Sequence, residues 1–161
     1  MKTRLASLLL VCAAVASAAP AARAPAPVDD FLYAIRVVES GNRYYNCPVG
    51  SHGEQGPYQF RREVWRQYTS APFGDARTEL ADRVALLHYH WLAQELREGG
   101  MAPTPWTLAA AWNGGVEAVL SGHLTRATRR YAQRVTNLVA SEGRLRAALT
   151  PKYRIVLARN N

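Results

Sequence analysis

The sequence predicts an all-α fold, and three observations carry that prediction. Apolar residues recur at three- and four-residue intervals in several segments; Gly, Pro, Asn or Asp bound those segments; and no segment of real length alternates apolar and polar residues with period two. A minor hairpin or extended piece is expected only in the loop between Cys47 and Phe60.

The first residues are not part of that fold. Lys2 and Arg4 precede an apolar run from Leu5 to Ala19, with small residues at Ala16, Ser17 and Ala18, which reads as a signal peptide covering residues 1–18. Cleavage is placed after Ala18, because Ala24 is followed by Pro25 and a proline just past the cut is an awkward substrate. The run is shorter than the roughly 20 residues a spanning helix needs, so no transmembrane segment is expected once the signal is removed. Cys12 sits inside the run behind Leu10 and Val11 rather than behind a small residue, which argues against a lipid anchor. Residues 19–28, rich in Ala and Pro, have no apolar period and read as a disordered leader.

The folded part should start near Asp29, leaving about 130 residues, enough for one domain with one core. Asp29 or Asp30 can cap a helix in which Leu32, Ile35, Val38 and Glu39 fall at helical spacing; Gly41 and Asn42 stop it. Gly, Pro, Ser and Asn make the stretch to Pro57 a loop. Arg61 to Tyr68 reads as a short helix, followed by a turn at Pro72 and Gly74. The longest helix is expected from about Thr78 to Glu98, with Leu80, Val84, Leu87 and Trp91 on its core face and Leu92 and Leu96 beside them. Pro105 suits a first helical turn leading to Trp112, closed by Gly114 and Gly115. Val116 to Leu120 follows as a short helix. Tyr131, Val135 and Leu138 stripe another, and Leu145 to Leu149 continues it as a last piece before Pro151, with residues 151–161 a tail.

The chain carries 20 Lys and Arg against 12 Asp and Glu. Losing Lys2 and Arg4 with the signal leaves 18 against 12, so the mature protein stays basic. In an exported protein that charge suits anionic polymers such as peptidoglycan or teichoic acids, and no nucleic-acid partner is expected. Arg126, Arg129, Arg130 and Arg134 form the densest basic cluster, which is either a solvated helix face or part of such a contact. After signal removal Cys47 is the one cysteine, so no intramolecular disulfide forms; it is either a small buried hydrophobe or an exposed thiol. His88 and His90, two apart on a helix, point to nearly opposite sides, and no local cluster offers a metal-ligand set.

Glu39 is the acid that stands out, because it extends an apolar face at a helix end beside a Gly-rich loop. Desolvation would raise its pKa, and a protonated carboxyl at neutral pH is what protonation of a glycosidic oxygen needs. On position alone an ordinary solvated Glu is the simpler reading. Four stretches in one order change that: Glu39-Ser40, then Gly56-Pro57-Tyr58-Gln59, then Trp112-Asn113-Gly114-Gly115, then Tyr131. As a set they resemble the lytic transglycosylase family, lysozyme-like enzymes in which a Glu-Ser pair closes the first helix, a Gly-x-x-Gln segment follows in a loop, an aromatic-Asn-x-Gly segment ends a later helix and a Tyr lies on another. The match spans residues 31–139. Trp112 stands where the family more usually has Tyr, Gly114 where it commonly has Ala, and Pro57-Tyr58 replaces the usual apolar pair.

The resemblance implies a lysozyme-like domain over residues 29–150 with a catalytic cleft, acting as an exported peptidoglycan lytic transglycosylase in the periplasm or outside the cell. Glu39 would be the general acid and then the general base, with Ser40 helping to orient it. Tyr58, Gln59, Trp112, Asn113 and Tyr131 would bind substrate, Tyr131 near the acid. No cofactor and no metal is required, and the protein is expected to be a monomer whose partner is the peptidoglycan glycan strand. Tyr44 and Tyr45 are further cleft candidates, since they flank the acid in sequence and flat rings with a polar handle suit sugar faces, whereas Trp65, Trp91, Trp106 and Trp112 read on composition as core, Trp91 above all from its place in the stripe of the long helix. Two rival readings remain. Glycosidases normally use two carboxylates, and Glu54, in the loop between Glu39 and Gln59, could be the second in a muramidase, or else a solvated or loop-stabilising residue. The chain could also be a cell-wall-binding protein without turnover.

Overall fold

The structure is a computed structural model that describes the backbone of residues 27–159 and the side chains of residues 27–145; the signal-peptide reading and nearly all of the leader lie outside the described residues. Within them the protein is all-α, with an isolated antiparallel bridge between Gln55 and Phe60 inside the long loop.

Six helices follow one another: α1 (Val28–Ser40), α2 (Arg62–Tyr68), α3 (Leu80–Glu98), α4 (Pro105–Gly114), α5 (Val116–Leu120) and α6 (Arg126–Arg159), with a 3-10 turn, Phe73–Arg77, between α2 and α3. Helix α4 is the hub, packing on α6, α5 and α3. Its Leu108, Ala109, Ala110 and Ala111 are all buried, and a helix apolar on most of its circumference belongs inside the fold. The small side chains let α6 approach closely, and α6 in turn packs against α1. The buried apolar residues form one cluster, in which Phe31, Ile35, Tyr58, Trp65, Leu92 and Leu108 are among the largest members.

Local chemistry accounts for the helix ends. Helix α1 is capped by Pro27, whose carbonyl accepts from Asp30 N–H at 3.1 Å, rather than by an Asp side chain; Asp29 and Asp30 lie in the first turn, where negative charge suits the helix dipole. Its other end is a Schellman cap, with Gly41 at φ 68° and the N–H groups of Gly41 and Asn42 bonded to the carbonyls of Val37 and Arg36. Thr104 caps α4 reciprocally with Thr107 ahead of Pro105, and Thr125 Oγ1 accepts from Thr128 N–H at 3.0 Å to open α6.

Two expectations fail on the helices. The core face of α3 is turned by about one residue: Ala81, Val84, Ala85, His88, Leu92 and Leu96 are buried, while Leu87 is 50% and Trp91 39% exposed. Apolar residues populate both candidate stripes, and His88 decides between them. It enters the core against Tyr68, whose hydroxyl lies 2.9 Å from its Nδ1, and burial pushes its pKa down to about 4, so it packs as a neutral ring stacked under Trp91. The second failure is at the C-terminus, where α6 continues as one helix through Pro151 to Arg159 in place of a break and a tail. A proline removes a single intrahelical hydrogen bond and can bend a helix without ending it. Trp65 is buried as expected, with its Nε1 donating to Ala71 O at 3.0 Å; Trp106 is partly buried; and Cys47 is buried beside the Arg43 carbonyl, so it packs as a small hydrophobe.

Candidate active site around Glu39

Glu39 sits in the last turn of α1, partly buried, where the Schellman cap stops the helix and α6 crosses behind it. Tyr131, in the second turn of α6, donates its hydroxyl to Glu39 Oε1 at 2.6 Å across 92 residues of sequence. That short bond occupies Oε1 and leaves Oε2 to carry a transferable proton. Desolvation raises the pKa of Glu39 to about 7; the bond from Tyr131 opposes it, the charge of Glu54 adds to it, and the charge of Arg134 opposes it. Tyr131 itself is driven well above the ordinary phenol range by burial and by the neighbouring carboxyl, so it donates and does not ionise.

This balance makes Tyr131 a tuning residue as well as a contact. Replacing it with Phe removes a donor that stabilises the carboxylate, so Tyr131→Phe is expected to move the titration of Glu39 to higher pH. Carbon-detected NMR titration of the Glu39 carboxyl checks this, and an unchanged or lowered midpoint would show that the bond does not act on the ionised form.

Of the other residues the sequence brings forward, several are committed to contacts within the fold. Ser40 makes no hydrogen bond to Glu39; its buried hydroxyl lies within bonding distance of the Arg36 and Arg43 carbonyls, at 3.1 and 3.3 Å, and accepts from Arg43 N–H at 3.2 Å, so it holds the chain that leaves the helix and acts on the acid only through the backbone. Tyr58 is corrected outright: it is 1% exposed, its hydroxyl donates to Asp82 Oδ1 at 2.6 Å and accepts from Arg36 Nη1 at 2.9 Å, and its ring packs on Phe60 and Trp112. Tyr58 is thus a strut between α1 and α3, not a sugar contact. Trp112 is partly buried and packs against Phe31, Tyr58, Phe60 and His88, the last at 4.8 Å between ring centroids, which makes it chiefly a core aromatic. Asn113 is exposed at the end of α4.

Gln59 holds the loop in shape. It adopts φ 47°, and its Nε2 donates to Gly56 O at 2.9 Å and to Pro48 O at 3.2 Å. Glu54 is close by and is not a solvated carboxylate: its side chain is 15% exposed, Oε2 accepts from His52 N–H at 2.9 Å, and Oε1 lies 3.4 Å from both Arg61 Nε and His52 Nδ1. Partial burial works against ionisation, but backbone N–H donors and the charges of His52 and Arg61 outweigh it and hold the carboxyl below the usual range. The site therefore pairs a carboxyl whose pKa is raised to about 7 with one held below the usual range, whose charge helps to raise the first.

Two features escape local sequence reading. Gly50 leaves room for the ends of two polar side chains: a Cβ there would stand 2.3 Å from Glu54 Oε2 and 3.0 Å from Gln59 Oε1, so any larger residue would displace them. Arg36, one turn before Glu39, pairs with Asp82 on α3 at 3.1 Å while Tyr44 and Tyr58 bond the same carboxylate, a tie across 46 residues that pins the loop to α3. The departure at Gly114 has a packing reason: a Cβ there would meet Thr128 Cγ2 of α6 at 2.9 Å. Among the hollows formed by the described residues are one of about 540 Å³ with Tyr44, Tyr45, Glu79 and Asp82 in its wall and an apolar one of about 900 Å³ between the start of α1, α4 and α6; Glu39 lines neither of these.

Comparison with family models, with curated proteins and with solved structures finds no match.

Proposed function

We propose that the protein is an exported peptidoglycan lytic transglycosylase with a lysozyme-like fold, cleaving the β-1,4 bond between N-acetylmuramic acid and N-acetylglucosamine. The observation that carries this reading is the Glu39–Tyr131 pair: a carboxyl whose pKa burial raises to about 7, held by a tyrosine from the segment that the family resemblance marks. Glu39 gives its proton to the leaving glycosidic oxygen, the bond to the anomeric carbon breaks, and the sugar passes through an oxocarbenium-like state. The Glu39 carboxylate so formed accepts the proton of the muramic acid 6-hydroxyl as that oxygen bonds the anomeric carbon. The product carries a 1,6-anhydro end, and Glu39 is returned protonated. Gln59 and Asn113 would contact the sugar, Gln59 from a loop conformation that its own hydrogen bonds maintain.

Mass spectrometry of digested sacculi tests the reading: anhydro ends are expected, and intact glycan would favour a wall-binding protein. One observation favours a second reading, hydrolysis by a muramidase. Glu54 is ionised, anchored and electrostatically coupled to Glu39, as a residue that positions an attacking water would be. Glu54→Gln separates the two. With the muramic acid hydroxyl as acceptor, one carboxyl serves both proton transfers, and the variant should keep its rate within about tenfold of wild type when assayed well below the titration of Glu39. A loss of orders of magnitude, together with reducing ends from the wild type, would transfer the assignment to a hydrolase.

A further inference from the structure

The four arginines of the basic cluster are all exposed on α6, but helical geometry sorts them. Arg126, Arg130 and Arg134 follow at four-residue spacing, a row with steps of about 6 Å and a length of about 12 Å. Arg129 lies off this row, about 100° round the helix from Arg130, and its Nη2 donates to Gly122 O at 3.4 Å. The row ends at the acid: Arg134 comes three residues after Tyr131, so the two are neighbours along one side of the helix, and Tyr131 holds Glu39. Among the described residues no carboxylate lies within ion-pair distance of Arg126, Arg130 or Arg134.

A guanidinium in that position is not neutral for the chemistry. Its charge favours the ionised form of Glu39, which opposes proton donation. An anion bound to Arg134 would cancel that effect as substrate arrives and leave desolvation to keep the acid protonated. Arginine also suits the ligand, because its planar fork matches a carboxylate with two parallel hydrogen bonds.

We propose that Arg134, with Arg130 and Arg126 extending from it, forms an anion-binding rail beside Glu39 that takes carboxylate groups carried by the glycan substrate, Arg134 holding the one nearest the bond to be cut. The inference rests on the glycan-cleaving function proposed above and specifies what that substrate must carry.

The test uses the full mature protein and two substrates, purified sacculi and the same sacculi with their carboxyl groups converted to amides. Release of soluble sugar and co-sedimentation are both followed at low salt. Arg134→Ala is expected to raise the half-saturating concentration of native sacculi roughly tenfold, the loss of one charge-assisted hydrogen bond, and to weaken co-sedimentation to match. On amidated sacculi wild type and Arg134→Ala should sediment equally and share one half-saturating concentration, and Arg129→Ala should match wild type on both. Equal loss on both substrates, equal loss from Arg129→Ala, or no loss from Arg134→Ala overturns the rail. Should wild type release no sugar from either substrate, the enzymatic reading fails on its own, and sedimentation still decides the rail: weaker retention of Arg134→Ala on native sacculi alone supports it, and equal retention overturns it.

Discussion

Glu39→Gln is expected to lower the release of sugar from sacculi by about 10²- to 10⁴-fold while leaving the fold and sacculus binding in place, because general acid catalysis is worth about that much. The amide preserves shape and can still accept the Tyr131 hydroxyl, but it has no proton to give. Wild-type activity should show the same dependence on protonation: the acid form is populated below about pH 7 and lost above it, so the rate falls as pH rises through that value. Stability should fall with rising pH as well. Glu39 titrates at 4.5 when solvated and at about 7 in the fold, so between those values the folded state holds a proton that the unfolded state has released. Wild type therefore loses stability as pH rises across that window, and Glu39→Gln, which never ionises, does not. After allowance for partial exposure, the variant should gain about 1–3 kcal/mol over wild type above pH 7 and nothing at pH 4.5 or below. Chemical denaturation at pH 4.5 and pH 8, beside the activity assay, measures both. An active variant would remove Glu39 from the chemistry; an inactive one with no gain at pH 8 would remove the desolvation argument.

The largest stability loss is expected from Gly56→Ala. Gly56 begins the Gly-x-x-Gln segment at φ 78°, and a Cβ there would stand 1.6 Å from the carbonyl oxygen of Ala76 and 2.6 Å from its carbon. Those atoms belong to the backbone of the 3-10 turn, which is held by its own hydrogen bonds and cannot swing aside as a side chain would. Left-handed backbone costs a non-glycine residue about 1–2 kcal/mol, and separating two packed backbone segments adds more, so a total above about 4 kcal/mol is expected. Gly53→Ala is the control, since Gly53 has φ 83° but no atom within 4 Å of an added Cβ. It should lose only the backbone term. Urea melts of the two variants that agree within about 1 kcal/mol would mean that the approach to Ala76 does not matter.

How much of this was legible depends on how local the cause is. Helix α1 and its stop at Gly41, the start of α4 at Pro105, and the short α5 all follow from residues within a few positions of one another, and they lie close to where the sequence places them. The bridge at Gln55 and Phe60 falls inside the loop expected to hold it. Trp91 shows the limit. Its interval from Leu87, Val84 and Leu80 is helical, but periodicity names a stripe without saying which of two adjacent stripes a neighbour covers, and His88 with Tyr68 settled it. Tyr58 shows another: an aromatic in a loop beside the acid looks available, and only Arg36 and Asp82, far off in sequence, reveal that its hydroxyl is committed.

What the sequence by itself determined is the all-α class, the segments that become helices, and the acid at the end of the first of them, because spacing, caps and breakers act over one or two turns. What only the tertiary structure decided is which polar groups meet. The pKa of Glu39 depends on burial and on a tyrosine 92 residues away, the ionised state of Glu54 on backbone N–H groups of its own loop and on Arg61, and the need for glycine at position 56 on backbone atoms that fold against it. Desolvation and contact are properties of a point in space, and residues distant along the chain supply most of what surrounds that point.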